Sequence, residues 1–160
     1  MNKLKKTFII AEVGVNHNGS LKKALSMIDA ISKTGADAIK FQIANPEEVY
    51  SDDAFKANYQ KQNDKSKTIL EMSKNLQISR GDHYKLKQRC KKRGIIYSCS
   101  AFDLGSLTFL DKNLNIPFFK IPSGEINSID MIEYIAKTEK KISGVNKLFF
   151  LQILKVNLLS

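Results

Sequence analysis

Apolar residues along this chain fall into two alternating patterns. Short, nearly continuous runs occur at Phe8-Ile9-Ile10-Ala11, Ala38-Ile39-Lys40-Phe41, Ile95-Ile96-Tyr97-Ser98 and Phe118-Phe119-Lys120-Ile121. Unbroken apolarity over so few residues predicts parallel strands covered on both faces. Between them the apolar spacing is helical. Leu21, Ala24, Leu25, Ile28 and Ile31 recur on one face, with Gly35 as the expected stop. Thr68 to Asn75 and Asp82 to Lys92 predict two further helices, the second ended by Gly94. Asp103 is placed to cap a helix carrying Leu104, Leu107 and Leu110, and Ser128 one carrying Ile129, Ile132 and Ile135. Strand and helix alternate four times, which predicts an α/β protein with a parallel sheet and right-handed crossovers. The stretch 43–67 is polar and aperiodic, as expected of a binding loop or lid at the C-terminal end of the second strand, with a disordered segment as the alternative.

Composition narrows the partners. The chain has 160 residues, a length that suits one domain, and carries a net charge of +10. Only three of its 26 cations are Arg, namely Arg80, Arg89 and Arg93. Lys, Asn and Ile, all with AT-rich codons, make up 53 of the 160 residues, so coding bias accounts for much of the basicity. The lysines are dispersed without interleaved aromatics, which argues against a nucleic-acid partner and is compatible with a small anionic substrate. Cys90 and Cys99 are too few for a disulfide scaffold and are expected to pack as reduced thiols in a cytoplasmic protein. Before the tail no apolar run reaches membrane-spanning length, and no membrane partner is expected.

Chemistry gathers after each predicted strand. The first run is followed by Glu12 and then Gly14-Val15-Asn16-His17-Asn18-Gly19; the second ends in Lys40-Phe41-Gln42; the third in Ser98-Cys99-Ser100; the fourth in Lys120-Ile121-Pro122-Ser123-Gly124-Glu125. Lysine and glutamate are common at wet strand ends. Lys40 and Lys120, however, sit within apolar runs, where an ammonium needs an anionic partner. Two lysines with Ser123 and the N–H groups near Gly124 could hold a phosphate and a carboxylate together, beside glutamates able to exchange protons. The spacing fits neither a P-loop nor a dinucleotide fingerprint. His17 is expected to organise its loop by hydrogen bonds, and His83 to lie on a solvated helix face with the run Lys85 to Arg93.

Three of these segments, Glu12 to Gly19, Gly35 to Gln42 and Lys120 to Glu125, occur in the order and spacing of the sialic acid synthase family, and residues 7–138 resemble the N-terminal half of its catalytic domain. Ser98 to Phe102 is similar to the family's third-strand segment, with Ser100-Ala101 where Thr-Pro is usual. The resemblance implies four βα units forming about half of a TIM (β/α)8 barrel. It implies condensation of phosphoenolpyruvate with an N-acetylated aldose, N-acetylmannosamine or a relative, to a nonulosonic acid and phosphate. By motif, Lys40, Gln42, Lys120 and Ser123 would hold phosphoenolpyruvate, and Glu12 and Glu125 would serve as catalytic groups. The family also implies a homodimer and a divalent metal, Mn²⁺ or Mg²⁺, whose histidine ligands belong to the half not matched here. The resemblance stops near Glu139. Residues 139–160 lack the family's next motif, and the antifreeze-like domain is missing, as expected of a truncated or frameshifted frame with no synthase activity of its own. Half a barrel would also expose open sheet edges, which the apolar tail could cover. A Schiff-base aldolase using Lys120 and a non-catalytic phosphate-binding fragment are the alternatives.

Overall fold

The computed structural model describes residues 7–51, 68–138 and 140–143. The expected lid at 43–67 and the tail 139–160 therefore fall mostly outside the described residues. The chain is an α/β protein whose described residues divide into two compact units, one of residues up to Phe41 with Asn75–Tyr97, the other of Gln42–Lys74 with Ser98 onward.

In the first unit β1 (Ile10–Gly14) runs parallel to β2 (Ala38–Ile43), Ile10 opposite Ala38 and Glu12 opposite Lys40, with an irregularity between Glu12 and Gly14. β1 thus starts and ends later than the apolar run Phe8 to Ala11. Phe8 and Ile9 are about half exposed, and the Ile9 N–H donates to the Asp37 carboxylate (2.9 Å). Val13 and Gly14 are the buried residues, so the strand continues through Glu12. α1 (Leu21–Ile31) starts at Ser20, whose hydroxyl accepts the Lys23 N–H, and it buries Ala24 and Ile28. It ends at Ser32, and Gly35 takes its left-handed backbone in the turn beyond it. α4 (Arg80–Arg93) follows the short helices α2 (Pro46–Val49) and α3 (Ile69–Leu76), which belong largely to the other unit. It is capped by Ser79 and closed by Gly94 in the left-handed conformation. α1 and α4 pack together, and Asp29 on α1 takes Arg89 (2.9 Å) and Arg93 (2.7 Å) of α4. The Arg93 hydrogen bond chiefly holds the Asp29 carboxyl below the usual range.

Strand three is β3 (Ile96–Ala101), buried from Tyr97 onward, and the strand order is β1-β2-β3. It runs one residue past the expected end in Ser98-Cys99-Ser100, and Ser98 and Ser100 are themselves buried. In the second unit α5 (Leu104–Thr108) passes into a π-turn at Phe109–Asn113 that buries Phe109, Leu110 and Asp111. β4 (Phe118–Lys120) is followed by a 3₁₀ turn at Ser123–Glu125, by α6 (Ile129–Ala136) and by β5 (Lys141–Ser143). β4 and β5 pair in parallel, Phe118 opposite Lys141. β5 lies beyond the four expected strands and past residue 138. The Asp111 carboxylate accepts from Tyr134 (2.9 Å) and Lys140 (2.7 Å) and lies 3.2 Å from Lys112. Burial would raise this carboxyl, but those three donors outweigh it and hold it low.

His83 corrects the sequence expectation. It is fully buried, and its Nδ1 lies 2.7 Å from the Tyr97 hydroxyl. A charged side chain at Lys85 and a polar run hide an inward face made of His83, Leu86 and Cys90. Both cysteines are buried free thiols, and burial pushes Cys90 up to about 12.

Two outcomes are expected. A Cβ at Gly19 (φ +70°) would run into the Asn75 carbonyl, whereas one at Gly94 (φ +69°) meets nothing. Gly19→Ala should therefore cost about 2–4 kcal/mol and Gly94→Ala about 1–2 kcal/mol in urea denaturation, and equal losses would contradict the close approach. Burial lowers His83 from 6.5 to about 4. Between those values the unfolded chain binds the extra proton, so stability must fall as pH drops through that window. The loss should reach about 3 kcal/mol, read as a shift of the urea midpoint, and a flat profile from pH 7 to 4.5 would contradict it.

Candidate functional site

A lysine inside a parallel strand is tolerated only if its ammonium is met by charge or hydrogen-bond acceptors. Lys40 follows buried Ile39 and precedes buried Phe41. Parallel register sets Glu12 of β1 directly beside it, and the Lys40 Nζ lies 2.5 Å from the Glu12 Oε2. The lysine side chain is 11% exposed and the glutamate 49%, so the pair has a dry cationic end and a wet anionic end. Gln42 stands two residues along β2 from Lys40, on the less buried face, while Ile39, Phe41 and Ile43 occupy the other.

The loop after β1 is tightly wound. Gly14, Asn18 and Gly19 all have positive φ, and the Asn16, Asn18 and Ser20 N–H groups donate to Val13, Val15 and His17 carbonyls. His17 is 1% exposed, and its Nδ1 accepts the Gly19 N–H (3.2 Å). Burial holds this imidazole below its ordinary value, opposed by the Gly14 carbonyl.

In the second unit Lys120 lies between buried Phe119 and Ile121 and donates to the Ile121 carbonyl (2.7 Å). Ser123 is exposed at the start of the 3₁₀ turn. Glu125, half-buried, accepts the Ser128 hydroxyl at 2.5 Å. Ser128 begins α6 as expected, yet its side chain makes no capping bond; its hydroxyl donates to Glu125. Of the expected site residues, then, Glu12 and Lys40 meet in the first unit, while Gln42, Lys120, Ser123 and Glu125 belong to the second.

Asp103 does more than cap. Its Oδ1 accepts the Ser106 N–H (2.6 Å), and its Oδ2 the Asn45 N–H (2.7 Å). One buried carboxylate thereby fixes the turn after β3 and the turn after Gln42. The capping pattern was visible in sequence; a bond to a backbone N–H 58 residues away leaves no local signal. The Gly-Glu-x-x-Ser spacing could have revealed the Ser128 bond.

The NeuB family model matches residues 27–145. The chain belongs to the NeuB family. It is 42% identical over 130 residues to the N,N'-diacetyllegionaminic acid synthase of Legionella pneumophila, covering 81% of this chain and 36% of that protein. It is 36% identical over 134 residues to the N-acetylneuraminate-9-phosphate synthase of Homo sapiens, covering 84% of this chain and 36% of that one. A solved N-acetylneuraminic acid synthetase of Leptospira borgpetersenii superposes with a TM-score of 0.76 at 28% identity, over 93% of this chain and 48% of its own. This NeuB-family chain thus spans little more than a third of the curated relatives' length. The matched region holds Lys40, Gln42, Lys120, Ser123 and Glu125 and reaches past β5. Family members named as synthases make this the chain of a condensing-enzyme family.

Among the described residues no group of three His, Cys, Asp or Glu side chains could hold a metal ion. The side chains described here do not fit the divalent ion that the resemblance implies.

Asp103→Ala strands one buried and one part-buried N–H group and should cost about 2–4 kcal/mol. Asp103→Asn, keeping one acceptor oxygen, should recover about half of that in urea denaturation. An Ala variant as stable as the parent would refute the double attachment.

Proposed function

We propose that this chain supplies the phosphoenolpyruvate-binding strands of a nonulosonic acid synthase, within a (β/α)8 barrel whose first strands are β1 to β4. The observation that carries this is the Glu12–Lys40 pair, two ionisable groups set side by side by strand register in the region resembling the family. Lys40 and Lys120, each held in apolar strand surroundings, offer cations whose attraction to a phosphate or carboxylate is little weakened by water. Gln42 and the exposed Ser123 add neutral hydrogen bonds.

In the reaction, C3 of phosphoenolpyruvate forms a bond to the aldehyde carbon of an N-acetylated aldose, and the aldehyde oxygen takes up a proton. Water then adds at C2 and gives up a proton. The tetrahedral intermediate breaks its bond to the phosphate oxygen, releasing phosphate and leaving a 2-keto acid. Glu12 and Glu125 are the carboxylates available for those proton transfers. Glu12 suits a group that exchanges with water, being half exposed while its partner is dry. The Ser128 hydroxyl fixes the direction of Glu125. The relatives named for legionaminic and neuraminic acids differ in sugar, so the acetamido sugar class is proposed and not one member.

Calorimetric titration with phosphoenolpyruvate tests this. Binding should weaken roughly tenfold or more on Lys40→Ala and again on Lys120→Ala, as expected for losing a charge-assisted contact. Binding unchanged in both variants would reject the assignment. Borohydride trapping of pyruvate on Lys120 would instead establish the Schiff-base aldolase chemistry.

A further inference from the structure

A cavity of about 580 Å³ lies wholly within the second unit, among the π-turn, α6 and the residue before β5. Its lining carries three ammonium groups, Lys112, Lys137 and Lys140, against one carboxylate, Asp111, an excess of two positive charges. Asn115, also in the lining, precedes β4 and Lys140 precedes β5, whereas Lys120, Ser123 and Glu125 end or follow β4. In a parallel pair these are opposite ends. The cavity is therefore separate from the strand ends that carry the candidate phosphoenolpyruvate groups, and the proposed reaction makes no use of it.

Asp111 would repel an anion if it were bare, but its side chain is 6% exposed and both its oxygens are taken. Oδ1 is held by Lys140 (2.7 Å), and Oδ2 by the Tyr134 hydroxyl (2.9 Å) and Lys112 (3.2 Å). The carboxylate is thus a fixed post that positions two ammonium groups. Lys140 also donates to the Asn115 Oδ1 (2.9 Å), and its side chain is 23% exposed, so water screens its charge less than at the open surface. With that oxygen accepting, the Asn115 Nδ2 hydrogens stay available for a guest. Lys137 is exposed on the same lining and forms no ion pair among the described residues.

An excess of two positive charges calls for a dianion. Lysine ammoniums are point charges that suit a tetrahedral oxyanion, and the lining has no arginine fork of the kind that grips a planar carboxylate. We propose that this cavity binds a phosphoryl dianion, free or carried by a sugar-sized molecule, with Lys112, Lys137 and Lys140 on the phosphoryl oxygens and the Asn115 amide beside them. The volume falls within the roughly 300–1,000 Å³ of small-molecule sites, which leaves room for a sugar phosphate as well as for inorganic phosphate. None of these groups belongs to the proposed catalytic machinery, so the site stands or falls apart from it.

A ¹⁵N–¹H spectrum of the full chain, titrated at neutral pH with inorganic phosphate and separately with glucose 6-phosphate, tests this. Sodium chloride at equal ionic strength and glucose serve as controls. The expected result is saturable shifts of the Asn115 side-chain amide and of the Thr138 and Lys140 backbone amides with phosphate, glucose 6-phosphate or both, and with neither control. Tighter binding of glucose 6-phosphate would assign the site to phosphate esters, and equal or tighter binding of inorganic phosphate to the free ion. Lys112→Ala and Lys137→Ala alter exposed side chains, so the fold should persist, and each should weaken binding about tenfold. No shift at these amides, shifts that sodium chloride reproduces, or binding unchanged in both variants would overturn the site. Phosphate that perturbs only the Ser123 and Gly124 amides would also overturn it, while leaving the catalytic reading in place.

Discussion

An ammonium in the middle of a dry strand has to be answered from the neighbouring strand, and most of the architecture around β1 and β2 follows from that demand. Lys40 follows Ile39 and precedes Phe41, both fully buried, so it can be neither solvated nor turned away without exposing the apolar face. The register that sets Glu12 opposite Lys40 is thus constrained twice, by apolar burial on one face and by charge on the other. A slip of one residue would bury the glutamate and strip the lysine of its counter-charge. That is a stronger pin than apolar patterning alone. It explains why β1 continues past the apolar run that announces it.

The alternation of strand and helix was legible from periodicity, and so were the capping roles of Asp103 and Gly94. What escaped was set by partners remote in sequence. His83 reads as polar because its helix is crowded with Lys and Arg, yet Tyr97 draws it inward. The end of β3 in Ser98-Cys99-Ser100 was legible to within a residue, but not that both serines are packed in the core. β5 escaped because Lys140 and Lys141 look like a solvated stretch. Asp111, in a π-turn no propensity announces, gives Lys140 its buried counter-charge.

The candidate site divides the same way. Motif residues were named from sequence, whereas their supports were not: the Ser128 hydroxyl on Glu125, and the Asp103 carboxylate holding the turn beyond Gln42. The Ser128 bond spans three residues and leaves a local spacing, whereas the Asp103 bond reaches a backbone N–H 58 residues away and leaves none. Their role is still substantial, since a carboxylate with one fixed lone-pair direction loses less freedom when a substrate arrives.

β4, α6 and β5 have a bearing on how the chain acquires its structure. This parallel pair is closed by a single short crossover, and its Asp111 anchor is near in sequence. Loop-closure entropy for these contacts is small compared with joining β2 to β3 across the long intervening stretch. A βαβ segment of this kind can assemble while more distant pairings are still being searched, and so offers the emerging polypeptide an early template for propagating further parallel strands.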